Sequence, residues 1–219
     1  MIVERETYHH GDLRQALIDA ALEMVAEKDV SSLSLREVAR KAGVSHAAPY
    51  RHFEDKEALL AAVAEQGFRM FNDALEQATQ DIANPLERLE AGFIAYVHYA
   101  IENPSHYRIL FGAYGANATE TYPSLATAIK QAFKQFVDTI AQGQNMGTIR
   151  PGNPEQLAQA VWALSHGLAM LVIDGHLTSK EIGGKSNDKA PFCVYESLAH
   201  FSTGLLMEGL LCLDSKNIC

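Results

Sequence analysis

The stretch "GVSHAAPYRHFEDKEALL", residues 43–60, contains a proline where the surrounding pattern predicts a short helix. Proline has no backbone N–H, and inside a helix it removes a hydrogen bond. With Ser45 as the N-cap, Pro49 is the fourth helical residue, so it either loses one bond to the Ser45 carbonyl or tightens the first turn. We therefore predict a short helix over residues 45–52 in spite of the proline.

A helical wheel gives this predicted helix two different sides. Pro49 and Phe53 point in one direction, which we predict to face the core. The other directions carry two small residues surrounded by hydrogen-bond donors, namely Ala47, Ala48, Arg51, Tyr50, His46 and His52. Small residues let a helix approach a partner closely, and hydroxyl, imidazole and guanidinium groups suit phosphates and base edges.

The segment before it predicts the partner helix of a helix-turn-helix unit. Ser34 and Glu37 have capping-box spacing at the start of a helix over residues 35–42. Gly43 then supplies a residue that can end this helix in a left-handed conformation. Two short helices joined by a glycine-containing turn form the unit whose second helix enters the DNA major groove.

Charge is distributed in a way that fits contact with a polyanion through one end of the molecule. The 219-residue chain has a net charge of −9, and nothing at whole-chain level indicates a nucleic-acid binder. Residues 31–56 nevertheless contain five basic and three acidic side chains, which leaves a local charge of +2. An acidic body with one basic region is compatible with DNA binding by that region alone.

Helical periodicity continues to the end of the chain, and no convincing strand pair is present. The further helices are predicted over 55–79, from Pro85, over the stretch that begins with Pro104, over 123–144, from Pro154 and from Pro191. We therefore predict an all-α protein. We predict a three-helix, helix-turn-helix DNA-binding domain over residues 1–55 and a second helical domain over residues 56–219.

The last two predicted helices are apolar around almost their whole circumference, which is typical of helices buried on two sides. One side belongs to the core of the same chain. The other is predicted to pack against a second copy as a two-fold four-helix bundle, although a single larger core would also bury it. The predicted interface residues are Leu164, Leu168, Leu171, Leu198, Phe201 and Leu205.

About residues 12–65 resemble the DNA-binding head of the tetracycline-repressor (TetR) family of bacterial regulators. The resemblance rests on the helix-turn-helix pattern followed by a characteristic series, Tyr50, His52, Phe53, Lys56, Leu59 and Leu60. Pro49 departs from it, because most members have a leucine-like residue there. Trp162 and the His166–Gly167 pair are similar to the subgroup named for a Trp-His-Gly motif in its C-terminal domain.

The resemblance implies roles for individual residues. Phosphate contacts are implied for Tyr50, His52, Lys56 and Ser34, and base-edge contacts for Arg36, His46, Ala47 and Ala48. Ser45 and Arg51 complete the set of predicted DNA-binding residues. A cation in the first turn of a helix opposes the helix dipole, so Lys56 independently indicates a nearby anion. The resemblance also implies a homodimer on a palindromic operator, most often a repressor, released by a small molecule bound in the C-terminal domain. The candidate pocket residues are Phe93, Tyr96, Tyr99, Tyr107, Phe111, Phe133, Phe136, Trp162 and His166, although aromatic stripes of this kind are usually simply core.

Several other functions find no support in the sequence. The one Glu-x-x-His pair, Glu6–His9, lies near the N-terminus, and no Gly-rich phosphate loop or Gly-x-Ser-x-Gly elbow occurs. We predict no enzyme activity, no cofactor and no metal, and the three cysteines have no metal-ligand spacing. No signal peptide or run of eighteen apolar residues is present, so we predict a cytoplasmic protein without a membrane partner. The rival interpretation is a ligand-binding or scaffolding dimer whose DNA head has lost its target.

Overall fold

The computed structural model describes residues 10–27, 33–112, 120–177 and 191–211. Within these ranges the chain forms helices and no β-strand, which confirms the predicted all-α class. The helices are α1 (His10–Glu27), α2 (Leu35–Lys41), α3 (Lys56–Thr79), α4 (Pro85–Glu102), α5 (Pro104–Phe111), α6 (Pro123–Asn145), α7 (Pro154–Ile173) and α8 (Pro191–Leu210). Cys212 and Cys219 lie outside the described residues.

The chain divides into two compact units. The first consists of Met1–Gly67 and Ser105–Ala126, and the second of Phe68–Pro104 and Thr127–Cys219. Helix α3 contributes its first residues, 56–67, to the first unit and the rest to the second. The division into a DNA-binding domain over residues 1–55 and a second domain over residues 56–219 stays a prediction.

Helix α2 has the ends that its sequence predicts. The Ser34 Oγ accepts a hydrogen bond from the Glu37 N–H at 3.3 Å and donates one to the Glu37 Oε2 at 2.9 Å. At the other end Gly43 adopts φ = +71°, and the Val44 N–H donates to the Ala39 carbonyl. This six-residue closure around a left-handed glycine stops the helix and turns the chain towards the next segment.

Two helices of the second unit begin with the same local signal. Pro85 and Pro154 are the first residues of α4 and α7, where the missing N–H costs nothing. The preceding asparagines act as N-caps. The Asn84 Oδ1 accepts from the Leu86 N–H at 3.0 Å, and the Asn153 Oδ1 accepts from the Glu155 N–H at 2.8 Å. Both helices therefore start where the sequence predicts.

The first unit encloses a core to which α1, α2 and the start of α3 contribute. Leu17, Val38, Leu59 and Phe53 are all almost completely buried. The guanidinium of Arg14 lies over the Phe53 ring, 5.5 Å from its centroid, in a cation–π arrangement. The buried ring fixes the end of the segment that precedes α3.

In the second unit α4 packs against both α7 and α8, and those two helices also contact each other. Phe93, Val97 and Ala100 of α4 are fully buried, as are Val161 and Ala169 of α7. Buried hydroxyl groups are satisfied within their own helices: Ser165 donates to the Val161 carbonyl and Thr203 donates to the Ala199 carbonyl.

The structure corrects the predicted helix over residues 45–52. Only Pro49–Arg51 form a helical turn, and it is a 3₁₀ turn. This turn is held by i to i−3 backbone bonds, including Ala48 N–H to the Ser45 carbonyl and His52 N–H to the Pro49 carbonyl, both at 2.9 Å, and the segment ends with an i to i−4 bond from the Phe53 N–H to the Pro49 carbonyl. Pro49 has no N–H to continue an α-helical ladder, and the turn around it is tightened.

One helix in the described part of the chain, α7, is long and apolar enough to cross a membrane by length and composition alone. One third of its most apolar 18-residue window is buried within the chain. The core helix of a soluble protein passes the same test, so this is weak grounds for a membrane span.

Candidate nucleic-acid interface

Residues 45–53, here called the recognition segment, present polar side chains on two buried anchors. Pro49 and Phe53 are buried, as the wheel predicts, whereas the Tyr50 side chain is 54% exposed. The other predicted contact residues of the segment are exposed (Ser45, His46, Ala47, Arg51) or half-buried (Ala48, His52). The segment is therefore a small polar surface fixed from below by two apolar side chains.

His52 has an unusual environment within this surface. Its Nε2 is buried and has no hydrogen-bond partner in the described part of the chain, and its ring lies 6.5 Å from that of Phe53. A buried imidazole nitrogen without a partner costs free energy, and a hydrogen bond from or to a ligand removes that cost. Rearrangement of this side chain towards a phosphate is compatible with the role that the resemblance implies.

The cations around the recognition segment differ in their exposure and in whether they form an ion pair. Arg36, Arg40 and Arg51 are exposed, whereas Lys41 forms an ion pair with Glu23 at 3.1 Å. Lys56 is half-buried at the first position of α3. The Ser34 hydroxyl donates to the Glu37 carboxylate, so a phosphate would have to compete for this donor.

Acidic side chains lie at the start of α3, and two of them, Glu54 and Asp55, are among the three counted in the local charge of residues 31–56. Burial raises the pKa of the Tyr122 hydroxyl, and the carboxylates of Asp55, Glu57 and Glu54 raise it further. These side chains follow the recognition segment directly in the chain. These carboxylates flank Lys56 in the chain and reduce the attraction between this cation and a phosphate.

The nine predicted pocket residues do not all belong to one unit. Tyr107 and Phe111 lie in the first unit, with ring centroids 4.7 Å apart, and the other seven lie in the second. Phe93, Tyr96, Tyr99 and Phe136 are buried, and burial raises the pKa of Tyr99. These buried rings form part of the second unit's own core.

Trp162 and His166 meet at one buried hydroxyl in the second unit. The Trp162 Nε1–H donates to the Tyr96 hydroxyl oxygen at 3.2 Å, and that hydroxyl is also hydrogen-bonded to the His166 Nδ1 at 3.1 Å. Burial lowers the pKa of His166, which favours a neutral ring whose Nδ1 accepts the Tyr96 proton. The Trp162 ring also makes an edge contact with Phe133. The network connects α4, α6 and α7.

The last two helices expose large apolar side chains. On α8 Phe201 is 65% and Leu205 59% exposed, and on α7 Leu171 and Leu164 are exposed to 44% and 39%. Gly167 and Gly204 belong to the same helices, and no atom lies within 4 Å of an added Cβ at either position. We call Leu164, Leu171, Phe201 and Leu205 the apolar face. Exposed apolar patches of this kind usually mark an interaction site.

Two predicted interface residues are less accessible than the others. Leu168 is only 7% exposed within its own unit, so little of its side chain is available to a second copy, and its place in the interface stays a prediction. Leu198 is half-buried. Leu168 lies at the edge of the buried side of α7, next to Val161 and Val172.

No group of three or more His, Cys, Asp or Glu side chains within the described ranges is arranged to hold a metal ion. His200 has a carboxylate neighbour, because its Nδ1 lies 3.1 Å from the Glu90 Oε1. This pair is exposed and joins α8 to α4.

Two family models match the chain. Residues 17–63 match the model of bacterial regulatory proteins of the tetR family, and residues 89–186 match a tetracyclin repressor-like C-terminal domain. A curated relative, an uncharacterized HTH-type transcriptional regulator from Haemophilus influenzae, is 31% identical over 130 residues. The match covers 59% of this chain and 62% of the relative.

Solved structures resemble the chain over nearly its whole length. A protein with unknown function from Rhodococcus sp. RHA1 is 31% identical with a TM-score of 0.79, covering 94% of this chain and all of that one. A bacterial regulatory protein in the tetR family from Rhodococcus RHA1 is 24% identical with a TM-score of 0.68, covering 92% of this chain and 98% of that one. At 24% identity, the similarity to this second structure shows a shared fold.

Proposed function

Because this chain belongs to the TetR family of transcriptional regulators, we propose that it binds a two-fold symmetric DNA operator as a homodimer. Regulators of this family are DNA-binding proteins and are generally not enzymes. The finer proposal is a cytoplasmic repressor that a small-molecule effector releases from DNA. The observation that carries it is the recognition segment, whose polar side chains rise from the buried Pro49 and Phe53.

In the DNA complex we assign two kinds of contact to the first unit. Tyr50, His52 and Lys56 hold backbone phosphates, with Ser34 joining them if its hydroxyl leaves Glu37. His46, Ala47 and Ala48 approach base edges, together with Arg36 and Arg51. The helical turn of the recognition segment spans only Pro49–Arg51, so few bases are contacted by each copy.

Dimerisation is proposed through the apolar face. Four large apolar side chains on two adjacent helices leave a surface that a second copy covers by two-fold symmetry, because each copy presents the same patch. The glycines at 167 and 204 allow helices to approach closely there. Such an interface also explains why α7 is apolar enough to resemble a membrane span.

For an effector to release the protein from DNA, ligand binding must change the separation of the two recognition segments in the dimer. Helix α3 contributes residues to both compact units, so a ligand that favours one arrangement of this helix also favours one separation of the two recognition segments. That separation must match successive major grooves, about 34–36 Å apart. A ligand shifts this equilibrium only by its different affinities for the two arrangements.

The direct test is binding to DNA from upstream of the chain's own gene, measured at several salt concentrations. We expect specific binding whose affinity falls steeply with salt, because each phosphate contact releases counterions. A scrambled duplex of the same composition is the control. Absence of any specific binding, with the dimer intact, would favour the rival interpretation of a ligand-binding or scaffolding dimer.

A further inference from the structure

An arginine of α1 lies beside the end of the recognition segment. The Arg14 Cζ is 5.5 Å from the centroid of the Phe53 ring, and the His52 ring centroid is 6.5 Å from the same point. The resemblance implies phosphate contacts for His52 and for Lys56, three residues after Phe53, but it implies no role for Arg14. The fold therefore brings a further cation to a place where two phosphate contacts are already expected.

The packing of α1 fixes the position of Arg14. Leu17 and Ile18, which follow it in the same helix, are almost completely buried. The Gln15 Nε2 donates to the Gln66 Oε1 of α3 at 2.8 Å, so the first half of α1 is also joined to α3 by a hydrogen bond. Both contacts lie within the first unit. The backbone that carries Arg14 is therefore held in place next to the recognition segment.

The charge of Arg14 is not neutralised by the side chains that the structure describes. The residue is exposed, and no carboxylate in the described ranges forms an ion pair with it, including the exposed Glu54 that follows Phe53 in the chain. Lys41 differs, because it pairs with Glu23 at 3.1 Å. A cation–π contact attracts the guanidinium to the ring without a carboxylate, and N–H donors remain for an oxyanion.

An arginine held against an aromatic ring suits a phosphate for two reasons. Its planar set of N–H donors matches the oxygen atoms of a phosphate. The contact with the ring also restricts the side chain before DNA binds, so less conformational entropy is lost in the complex. Phosphate contacts hold a protein on the duplex and carry no sequence information. A phosphate contact by Arg14 would thus add affinity for every duplex.

We propose that Arg14 binds a backbone phosphate of the DNA and that the Phe53 ring positions its guanidinium. Because Arg14 and His52 both lie beside Phe53, one strand that follows the end of the recognition segment meets both side chains. The DNA-binding surface of the first unit then includes α1 as well as the recognition segment and the start of α3. This inference rests on the proposed function, since it concerns the complex with DNA.

Arg14→Met in the full-length protein tests the contact, because methionine keeps an unbranched apolar chain next to Phe53 and removes the charge. Affinities for the operator and for a scrambled duplex are measured at several salt concentrations. We expect both affinities to fall by about tenfold for each bound chain at low salt, and the slope of log affinity against log salt to flatten by about 1 for each bound chain. The melting temperature should change by only a few degrees.

Two variants control for the charge and for its position. Arg14→Lys keeps the cation and should keep the salt slope, with a smaller loss of affinity than Arg14→Met because the planar donor set is lost. Arg150→Met removes an exposed cation of the second unit and should leave both the slope and the affinity unchanged.

Phe53→Leu tests the positioning role of the ring, since leucine keeps an apolar side chain at this buried site. We expect a several-fold loss of affinity, and Arg14→Met should cost less in this background than in the original protein. Equal costs in the two backgrounds would overturn the role of Phe53. If Phe53→Leu does not fold, the Arg14 variants still decide whether the phosphate contact exists.

The outcomes separate this inference from the proposed function. An unchanged salt slope in Arg14→Met overturns the phosphate contact, and a lower melting temperature with that slope assigns Arg14 to the stability of the first unit. A changed ratio of operator to scrambled affinity overturns it in favour of base reading. Equal binding of both duplexes by the unmodified protein overturns the proposed function alone, because the slope is measured on either duplex. No binding to any duplex overturns both.

Discussion

The recognition segment and the apolar face are two exposed surfaces of opposite construction. In the first, polar side chains such as Tyr50 stand on the buried Pro49 and Phe53. In the second, apolar side chains such as Phe201 and Leu205 stand on helices whose inner sides are already buried. Polar donors in a basic region suit a polyanion, whereas apolar side chains suit a copy of the same surface. We therefore expect changes in the recognition segment to weaken DNA binding and changes in the apolar face to weaken dimerisation.

Leu205→Glu is expected to have the largest effect. Burying an uncompensated carboxylate at a two-fold interface costs roughly 3–5 kcal/mol, so dimerisation should weaken by about a hundredfold or more and operator binding should disappear. Sedimentation and DNA binding measure the two effects. Gln131→Glu, an exposed position on α6, should change neither, and a monomeric unmodified protein would disprove the apolar face as a dimer interface.

Tyr50→Phe combined with His52→Ala should weaken binding to all DNA sequences without changing the dimer. Each lost phosphate contact is expected to cost about tenfold and to flatten the dependence of log affinity on log salt. Tyr122→Phe removes a tyrosine hydroxyl from the same unit and should leave both quantities unchanged. Unaltered affinity of the double variant at physiological salt would contradict the phosphate roles.

Pro49→Leu tests the shape of the recognition segment. The leucine keeps an apolar side chain at the buried position and restores the N–H that an α-helix requires. We expect a free energy of unfolding within about 1 kcal/mol of the original and a several-fold lower affinity for the native operator. Operator affinity equal to that of the unmodified protein would show that the 3₁₀ turn is not needed for recognition.

The smallest effect is expected in the pH dependence of stability. Burial lowers the pKa of His166 below its usual 6.5, so the unfolded chain binds a proton that the folded ring resists. The free energy of unfolding should therefore fall as pH decreases below about 6.5, and His166→Phe should reduce this fall. Urea unfolding at several pH values measures it. If the variant has the same pH dependence of unfolding as the original protein, the lowered pKa of His166 is contradicted.

His106→Phe gives the matching experiment in the first unit. Burial lowers the pKa of His106 too, but the carboxylate of Asp19 opposes the shift. The pKa is lowered on balance, so the free energy of unfolding should again fall as pH decreases below about 6.5, and His106→Phe should reduce this fall in urea unfolding at several pH values.

The helix ends that the sequence predicts correctly are those set by residues only a few positions apart. Pro85 and Pro154 mark helix starts because an N1 proline and a preceding asparagine act within a few residues. Ser34 and Gly43 fix α2 in the same way. These signals need no knowledge of the rest of the chain.

The sequence is least informative where competing interactions decide the local structure. At Pro49 the sequence leaves two outcomes, a lost bond or a tightened turn, and the structure has the tightened one. Leu168 lies at the border between two sides of α7, and the sequence does not show that packing leaves only 7% of it exposed.

The central claim is that two copies of the recognition segment engage one symmetric DNA site. The most direct measurement selects bound duplexes from the source genome and determines their symmetry and the number of chains on each. Enrichment of two-fold symmetric sites, with at least two chains per duplex and a steep loss of affinity in salt, is the predicted result. Equal binding to symmetric and random duplexes, with and without candidate effectors, would contradict it.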